Sequence, residues 1–172
     1  MMMFKKCIVQ TSFGLMTAIA DEHVLYLLQF SDSCLLDKQV DHIQKLYNVH
    51  IVQGSNSLIE KLEKELASYC SGKLQTFTIT LSYEGTRFQK KVWDHCSEIE
   101  YGGTVSYQRL AGAMGNSLAC RAVGTALGSN CYVIIVPCHR VIKSDGKIGH
   151  YGGGVERKIA LLAHEQLFKN KN

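Results

Sequence analysis

The chain has 172 residues, 46% hydrophobic and 20% charged, with a formal net charge of +4. That length suits one large domain or two small ones with a buried core, and the composition is that of an ordinary globular protein. No apolar run reaches membrane-spanning length, and segment 1–10 has lysines but no apolar stretch of the export type, so membrane insertion and secretion are set aside and the cytoplasm is the expected location. The seven cysteines are odd in number, scattered and without a CxxC pair, which argues against a disulfide framework or a zinc knuckle.

In chain order, residues 5–11, 14–20 and 24–30 read as three short strands. Gly14 and the Asp21-Glu22-His23 turn separate them, as in an antiparallel meander. Leu36, Val40, Ile43 and Tyr47 recur at helical spacing over 33–48. Ser57 and Glu60 form a capping-box pattern ahead of a second helix that Gly72 stops. Residues 76–82 alternate Phe77, Ile79 and Leu81 with polar residues, the pattern of a half-buried strand. Tyr83-Glu84-Gly85 reads as a boundary, giving an α+β amino-terminal domain over 1–85 and a mainly helical domain over 86–172.

In that second stretch Thr86 and Gln89 form another capping box, opening a helix with Phe88, Val92 and Trp93 on one face. Residues 106–114 and 117–127 read as two helices around Gly115-Asn116, the spacing of a helix-turn-helix. In the second of them Leu118, Ala119, Ala122, Val123 and Leu127 form the core side. The opposite side carries Ser117, Arg121, Gly124, Thr125 and Gly128, a single long cation among small residues that let a helix approach a groove closely. A buried run over 132–136 leads into Pro137-Cys138-His139-Arg140. A glycine-rich loop follows, then a helix over 156–168 and a loose tail over 169–172.

Charge divides along the same line. Up to Gly85 there are seven lysines, no arginine and nine acids, for a net of −2. From Thr86 onward seven lysines and five arginines face six acids, for a net of +6. A basic second half suits a polyanionic partner.

Cys138 is the one cysteine with a chemical setting, since a thiolate needs nearby positive charge or a base, and His139 and Arg140 adjoin it. Neighbours in extended chain point to opposite sides, so His139 is expected to act through water rather than by gripping the thiol. From spacing alone, a buried cysteine beside an unrelated histidine fits as well.

The run Ile134-Ile135-Val136-Pro137-Cys138-His139-Arg140-Val141-Ile142 resembles the active-site signature of the O6-alkylguanine-DNA alkyltransferase family. The resemblance extends through Phe88-Gln89, Val92-Trp93, Ser106-Tyr107, Gly115-Asn116, Cys120-Arg121-Ala122-Val123-Gly124, Asn130, Tyr151-Gly152-Gly153-Gly154 and Leu161-Leu162-Ala163-His164-Glu165. It implies a ribonuclease-H-like first domain with an antiparallel sheet, followed by a winged-helix-like, helix-turn-helix catalytic domain. It implies action on alkylated bases in double-stranded DNA without a cofactor, and a monomer is expected; some members of that family carry a metal in the first domain, but none is expected here.

Residue by residue, the resemblance makes Cys138 the nucleophile and final acceptor. His139 draws the thiol proton through a water, oriented by Glu165, and Tyr107 donates to the flipped guanine. Arg121 fills the space the base leaves, with Ser106, Ser117, Thr125 and Arg140 among the DNA contacts. Asn130 holds the turn before the active-site segment, and Tyr151, Gly152 and Gly153 line the base pocket. Without the resemblance, Tyr107 reads as a core residue, Arg121 as a solvated charge, Glu165 as half of an ordinary ion pair and Asn130 as a turn residue.

A lowered pKa is expected at Cys138. The sequence departs from the family pattern at Asn116-Ser117 and Asn130-Cys131, where Asn-Pro is usual, and at Cys120, where alanine is frequent. Cys7, His23 and Cys34 do not assemble into a recognised metal set. Competing readings are a non-catalytic binder of alkylated bases, a helix-turn-helix regulator and a cysteine hydrolase. Cys138 argues against the first, the shortness of the chain against a fused form of the second, and the adjacency of His139 against the third.

Overall fold

The computed structural model describes residues 3–170, which divide between Ser82 and Tyr83 into two compact units. Lys171 and Asn172, part of the expected loose tail, lie outside the described residues.

The first unit opens with β1 (Met3–Thr11), β2 (Gly14–Ala20) and β3 (Leu25–Phe30), the antiparallel meander read from the sequence. Asp21 builds the second turn: its carboxylate accepts from the His23 and Val24 amides at 2.8 and 2.7 Å. Helix α1 (Leu36–Tyr47) then returns the chain to β4 (His50–Gln53), a strand not anticipated from the sequence. It pairs parallel with β1, so the sheet is mixed, in the order β3-β2-β1-β4. Phe4, Tyr26 and Leu27 of the sheet pack with Leu36 and Ile43 of α1 into one apolar cluster.

Helix α2 (Ser57–Cys70) is capped by Asn56, whose side chain accepts from the Ile59 amide at 2.9 Å. The cap is thus one residue earlier than the Ser57–Glu60 pattern suggested, and the Ser57 hydroxyl instead donates to Glu22. The expected strand over 76–82 does not form. Its chain makes only an isolated bridge, Leu81 with Leu25, although the alternation survives as burial, with Ile79 inside and Thr78 and Thr80 outside.

The second unit is mainly helical. Helix α3 (Arg87–Ser97) opens with the Thr86–Gln89 capping box in full. Val92 and Trp93 are buried, while Phe88 remains partly exposed, and the Trp93 indole donates to the Ala126 carbonyl at 2.9 Å. The strand pair β5 (Val105–Ser106) and β6 (Val141–Ile142) is short and parallel. Helices α4 (Tyr107–Ala113) and α5 (Cys120–Gly128) form the helix-turn-helix pair. α5 starts three residues later than read. Leu118 therefore precedes the helix and is 92% exposed rather than part of its core side, which is supplied by Val123, Ala126 and Leu127. The run 132–136 is buried but turned, not extended: the Val136 amide bonds the Tyr132 carbonyl, and Ile134 sits at φ +74°. A 3₁₀ turn (Cys138–Arg140) and helix α6 (Val155–Phe168) complete the unit.

Candidate active site

Cys138 and His139 stand in a 3₁₀ turn rather than in extended chain, and they face different partners. Cys138 faces Asn130, whose amide donates to its sulfur at 3.2 Å and to the Val136 carbonyl at 3.0 Å. The Asn130 side-chain oxygen accepts from the Tyr132 amide at 2.8 Å. One asparagine therefore holds the turn and touches the thiol.

His139 faces α6. Its Nε2 lies 2.7 Å from Glu165 Oε1, and its Nδ1 is buried with no hydrogen-bond partner among the described residues. Burial lowers the His139 pKa from its ordinary value, so the imidazole is neutral. With Nε2 donating to a carboxylate, Nδ1 carries the free lone pair.

Burial alone would raise the Glu165 carboxyl, but hydrogen bonds from His139 and Arg140 and the Arg140 charge hold it well below the usual carboxylate range. Arg140 forks onto it through Nε at 2.8 Å and Nη2 at 3.0 Å, and the Gly102 amide adds a bond at 3.0 Å. Arg140 also donates to the Ile99 carbonyl. This corrects the placing of Arg140 among DNA contacts: its guanidinium is buried and committed to the carboxylate that holds His139.

A cavity of about 700 Å³ opens above Cys138, lined by Tyr107, Arg121, Gly124, Cys138, Tyr151 and Gly152, among others. Tyr107 begins α4 and its hydroxyl donates to the His150 carbonyl at 3.4 Å. The Tyr151 hydroxyl is buried and has no protein partner among the described residues. Arg121 is exposed on α5, and Thr125, one turn on, donates to the Arg121 carbonyl at 3.1 Å and also lines the cavity. Ser106 is the N-cap of α4, accepting from the Arg109 amide at 3.0 Å. Ser117 is exposed in the turn before α5, and Gly153 is buried, its carbonyl accepting from Arg157 at 3.0 Å.

The expected lowering at Cys138 is not found. Burial pushes the thiol up, and the Asn130 hydrogen bond and the Lys158 charge only partly offset it. The sulfur is thus held toward its thiol form.

Lys158 was missed by sequence reasoning. It is fully buried on α6, and its ammonium donates to the Val141 carbonyl at 2.6 Å and to the His150 carbonyl at 3.2 Å. The signal was there: Lys158, Leu161 and Glu165 stand three and four residues apart on one helix face, and all three are buried. Cys96, buried on α3, was also passed over; its thiol is raised by burial and then by the nearby Cys138. Among the described residues no group of three or more His, Cys, Asp or Glu could hold a metal ion, and no helix is long and apolar enough to cross a membrane.

Residues 87–167 match the family model of the 6-O-methylguanine DNA methyltransferase DNA-binding domain. The methylated-DNA–protein-cysteine methyltransferase of Methanosarcina barkeri is 48% identical over 103 residues, covering 60% of this chain and 65% of that protein. The inducible enzyme of that name from Bacillus subtilis is 44% identical over 131 residues, covering 76% of this chain and 73% of that protein. The match to the Methanosarcina barkeri protein, and that to a Mycolicibacterium paratuberculosis relative at 62%, span a little under two thirds of those proteins' own lengths. Among solved structures, Mycobacterium tuberculosis OGT in complex with DNA superposes with a TM-score of 0.82 at 34% identity, over 95% of this chain and 94% of that one. The O6-methylguanine-DNA methyltransferase of Pyrococcus kodakaraensis follows at 0.59 and 26%, over 94% and 98%. The chain belongs to the O6-methylguanine-DNA methyltransferase, or methylated-DNA–protein-cysteine methyltransferase, family.

Proposed function

We propose that the protein repairs alkylated duplex DNA by direct reversal, moving the alkyl group of O6-alkylguanine, and of O4-alkylthymine, onto Cys138 once per molecule. The observation that carries this reading is a thiol held by Asn130 at the base of a roughly 700 Å³ cavity bordered by the second helix of a helix-turn-helix. That volume lies in the range of small-ligand cavities, about 300–1,000 Å³. An alkyl group on a stacked base is out of reach, so the nucleotide must leave the helix to enter.

Each group then has a task. Arg121, exposed among small residues on α5, occupies the gap in the duplex, while Ser117 and Thr125 lie toward the backbone. The Tyr107 hydroxyl donates to the base, and Tyr151 and Gly152 line its pocket, while Gly153, expected there too, is buried with its carbonyl accepting from Arg157. His139 Nδ1 takes the thiol proton through one water, the ordinary way a buried polar atom without a protein partner is satisfied. Glu165, pinned by Arg140, stabilises the imidazolium that forms. The sulfur forms a bond to the alkyl carbon as the carbon–oxygen bond breaks, and the electron pair leaves with the base oxygen. A thioether has no easy return to thiol, so each molecule acts once. One chain supplies all these groups, which supports reading the working form as a monomer.

The test is a duplex containing O6-methylguanine, incubated with the protein and followed by digestion and mass measurement of the Cys138 peptide. One added methyl per repaired base is expected; repeated turnover or an unmodified peptide refutes the reading. Arg121→Ala should slow duplex repair at least tenfold more than reaction with the free base. Equal losses would remove Arg121 from base extrusion.

A further inference from the structure

The turn that leads into α5 carries an apolar residue that the core does not use. Leu118 is 92% exposed, whereas the other exposed large hydrophobic side chains among the described residues lie between 39% and 61%. A leucine in water on a loose loop would need no explanation, but this turn is tightly held. The Asn116 side-chain oxygen accepts from the Leu118 amide at 3.1 Å, and the Asn116 carbonyl accepts from the Ala119 amide at 3.0 Å. The Asn116 amide donates back to the Ala111 carbonyl at 3.1 Å, and the Cys120 thiol donates to the Ser117 carbonyl at 3.1 Å. The backbone on both sides of Leu118 is thus fastened while its side chain stands in solvent. Arg121 and Thr125 line the cavity over Cys138; Leu118 is not part of that lining. It belongs to the exposed surface around the cavity, beside Ser117 and one turn before Arg121.

Charge says what covers it. Segment 101–144, which includes both helices of the helix-turn-helix, contains no aspartate or glutamate, and its exposed cations are Arg109, Arg121 and Lys143. A surface free of acids and set with cations suits a polyanion, and between its phosphates a nucleic-acid groove is walled by apolar sugar and base edges. We propose that Leu118 is a DNA-contact residue, packing against the deoxyribose wall of the groove that Arg121 enters and holding the duplex by burial rather than by charge. This rests on the reading that α5 meets the duplex. Because the turn is already ordered, little conformational freedom is lost when the contact forms. The contact releases no counterion, so its share of the affinity does not fall with salt as the phosphate contacts do.

The experiment follows the fluorescence anisotropy of a labelled, undamaged duplex titrated with the native protein, Leu118→Ala and Leu118→Met across a salt series, with thermal melting of each protein. An undamaged duplex involves no transfer chemistry, so the two readings fail separately: a native protein that binds it but never gains a methyl on Cys138 refutes repair and leaves this inference standing. Leu118→Ala should weaken binding about tenfold at every salt concentration, a line parallel to that of the native protein, and Leu118→Met should stay within about threefold of native. Melting temperatures should not move, because a side chain already in water gives up no packing when truncated. Unchanged affinity in Leu118→Ala overturns the proposal, as does a native protein that binds no duplex. A loss accompanied by a shallower salt slope overturns it too, since a cation would then have been displaced, and a loss matched by a lower melting temperature assigns the leucine to folding instead.

Discussion

Glu165 receives hydrogen bonds from His139, Arg140 and the Gly102 amide with its side chain closed to solvent, and this cluster makes the second unit sensitive to acid in two stages. His139 is held neutral, with its pKa below the ordinary 6.5, whereas the unfolded chain takes up a proton there. Stability from His139 is therefore complete above 6.5 and declines as pH falls below it. Glu165 is held below the ordinary 4.5, so its contribution is complete above that value and declines below it. Urea midpoints should fall between pH 7 and 5.5 in the native protein, and that first decline should disappear in His139→Asn. An unchanged decline would place its origin elsewhere. The sequence reading kept His139 from gripping Cys138, and in the fold the imidazole does face Glu165 instead. The resemblance put Arg140 among the DNA contacts, but an arginine beside a cysteine reads the same in sequence whether it faces phosphate or, as here, a buried carboxylate.

Among the elements, the helix-turn-helix and the pocket loop meet at Gly149, whose left-handed backbone favours glycine. Gly149 has φ +79°, and a Cβ there would lie 3.4 Å from both the ring and the hydroxyl of Tyr107. Gly149→Ala should destabilise the fold by about 1 kcal/mol from the left-handed backbone alone. Because its new methyl would rest against Tyr107 without displacing it, methyl transfer under the proposed reading should slow by no more than the melting shift explains, a comparison that thermal unfolding and single-turnover rates make directly. Elements set by local chemistry were legible: the Thr86–Gln89 box is complete in the fold, and the three-strand meander stands where its turns put it. Those set by distant pairing were not. β4 is four residues long and exists because β1 offers an edge. The segment 76–82 has a strand's alternation without a strand's partner, since alternation records burial and not hydrogen bonding. At α2, Asn56 and Ser57 are both good caps one residue apart, and the backbone chose the first.

Over the whole molecule, all five arginines fall after Thr86, and the net charge of that half is +6. Two of its cations, Arg140 and Lys158, are buried and cannot meet phosphate, so the charge available to a duplex is smaller than the sequence total suggests. With about three phosphates neutralised by exposed cations such as Arg121 and Lys143, the logarithm of the association constant should fall against the logarithm of salt with a slope of about −3. Filter binding across a salt series checks this. A slope near zero would mean that DNA is not held by its backbone, whereas a slope near −6 would mean that cations beyond the cavity rim take part.

The raised pKa of the buried Cys138 thiol bears on how such a molecule survives before use. A sulfur that can react only once is wasted by any stray oxidant or electrophile, and such reagents attack thiolates far faster than thiols. Under the proposed reaction, a proton kept on until a damaged nucleotide fills the chamber would leave the idle protein chemically quiet, and its working lifetime would be set by encounters with lesions rather than by the background reactivity of its surroundings.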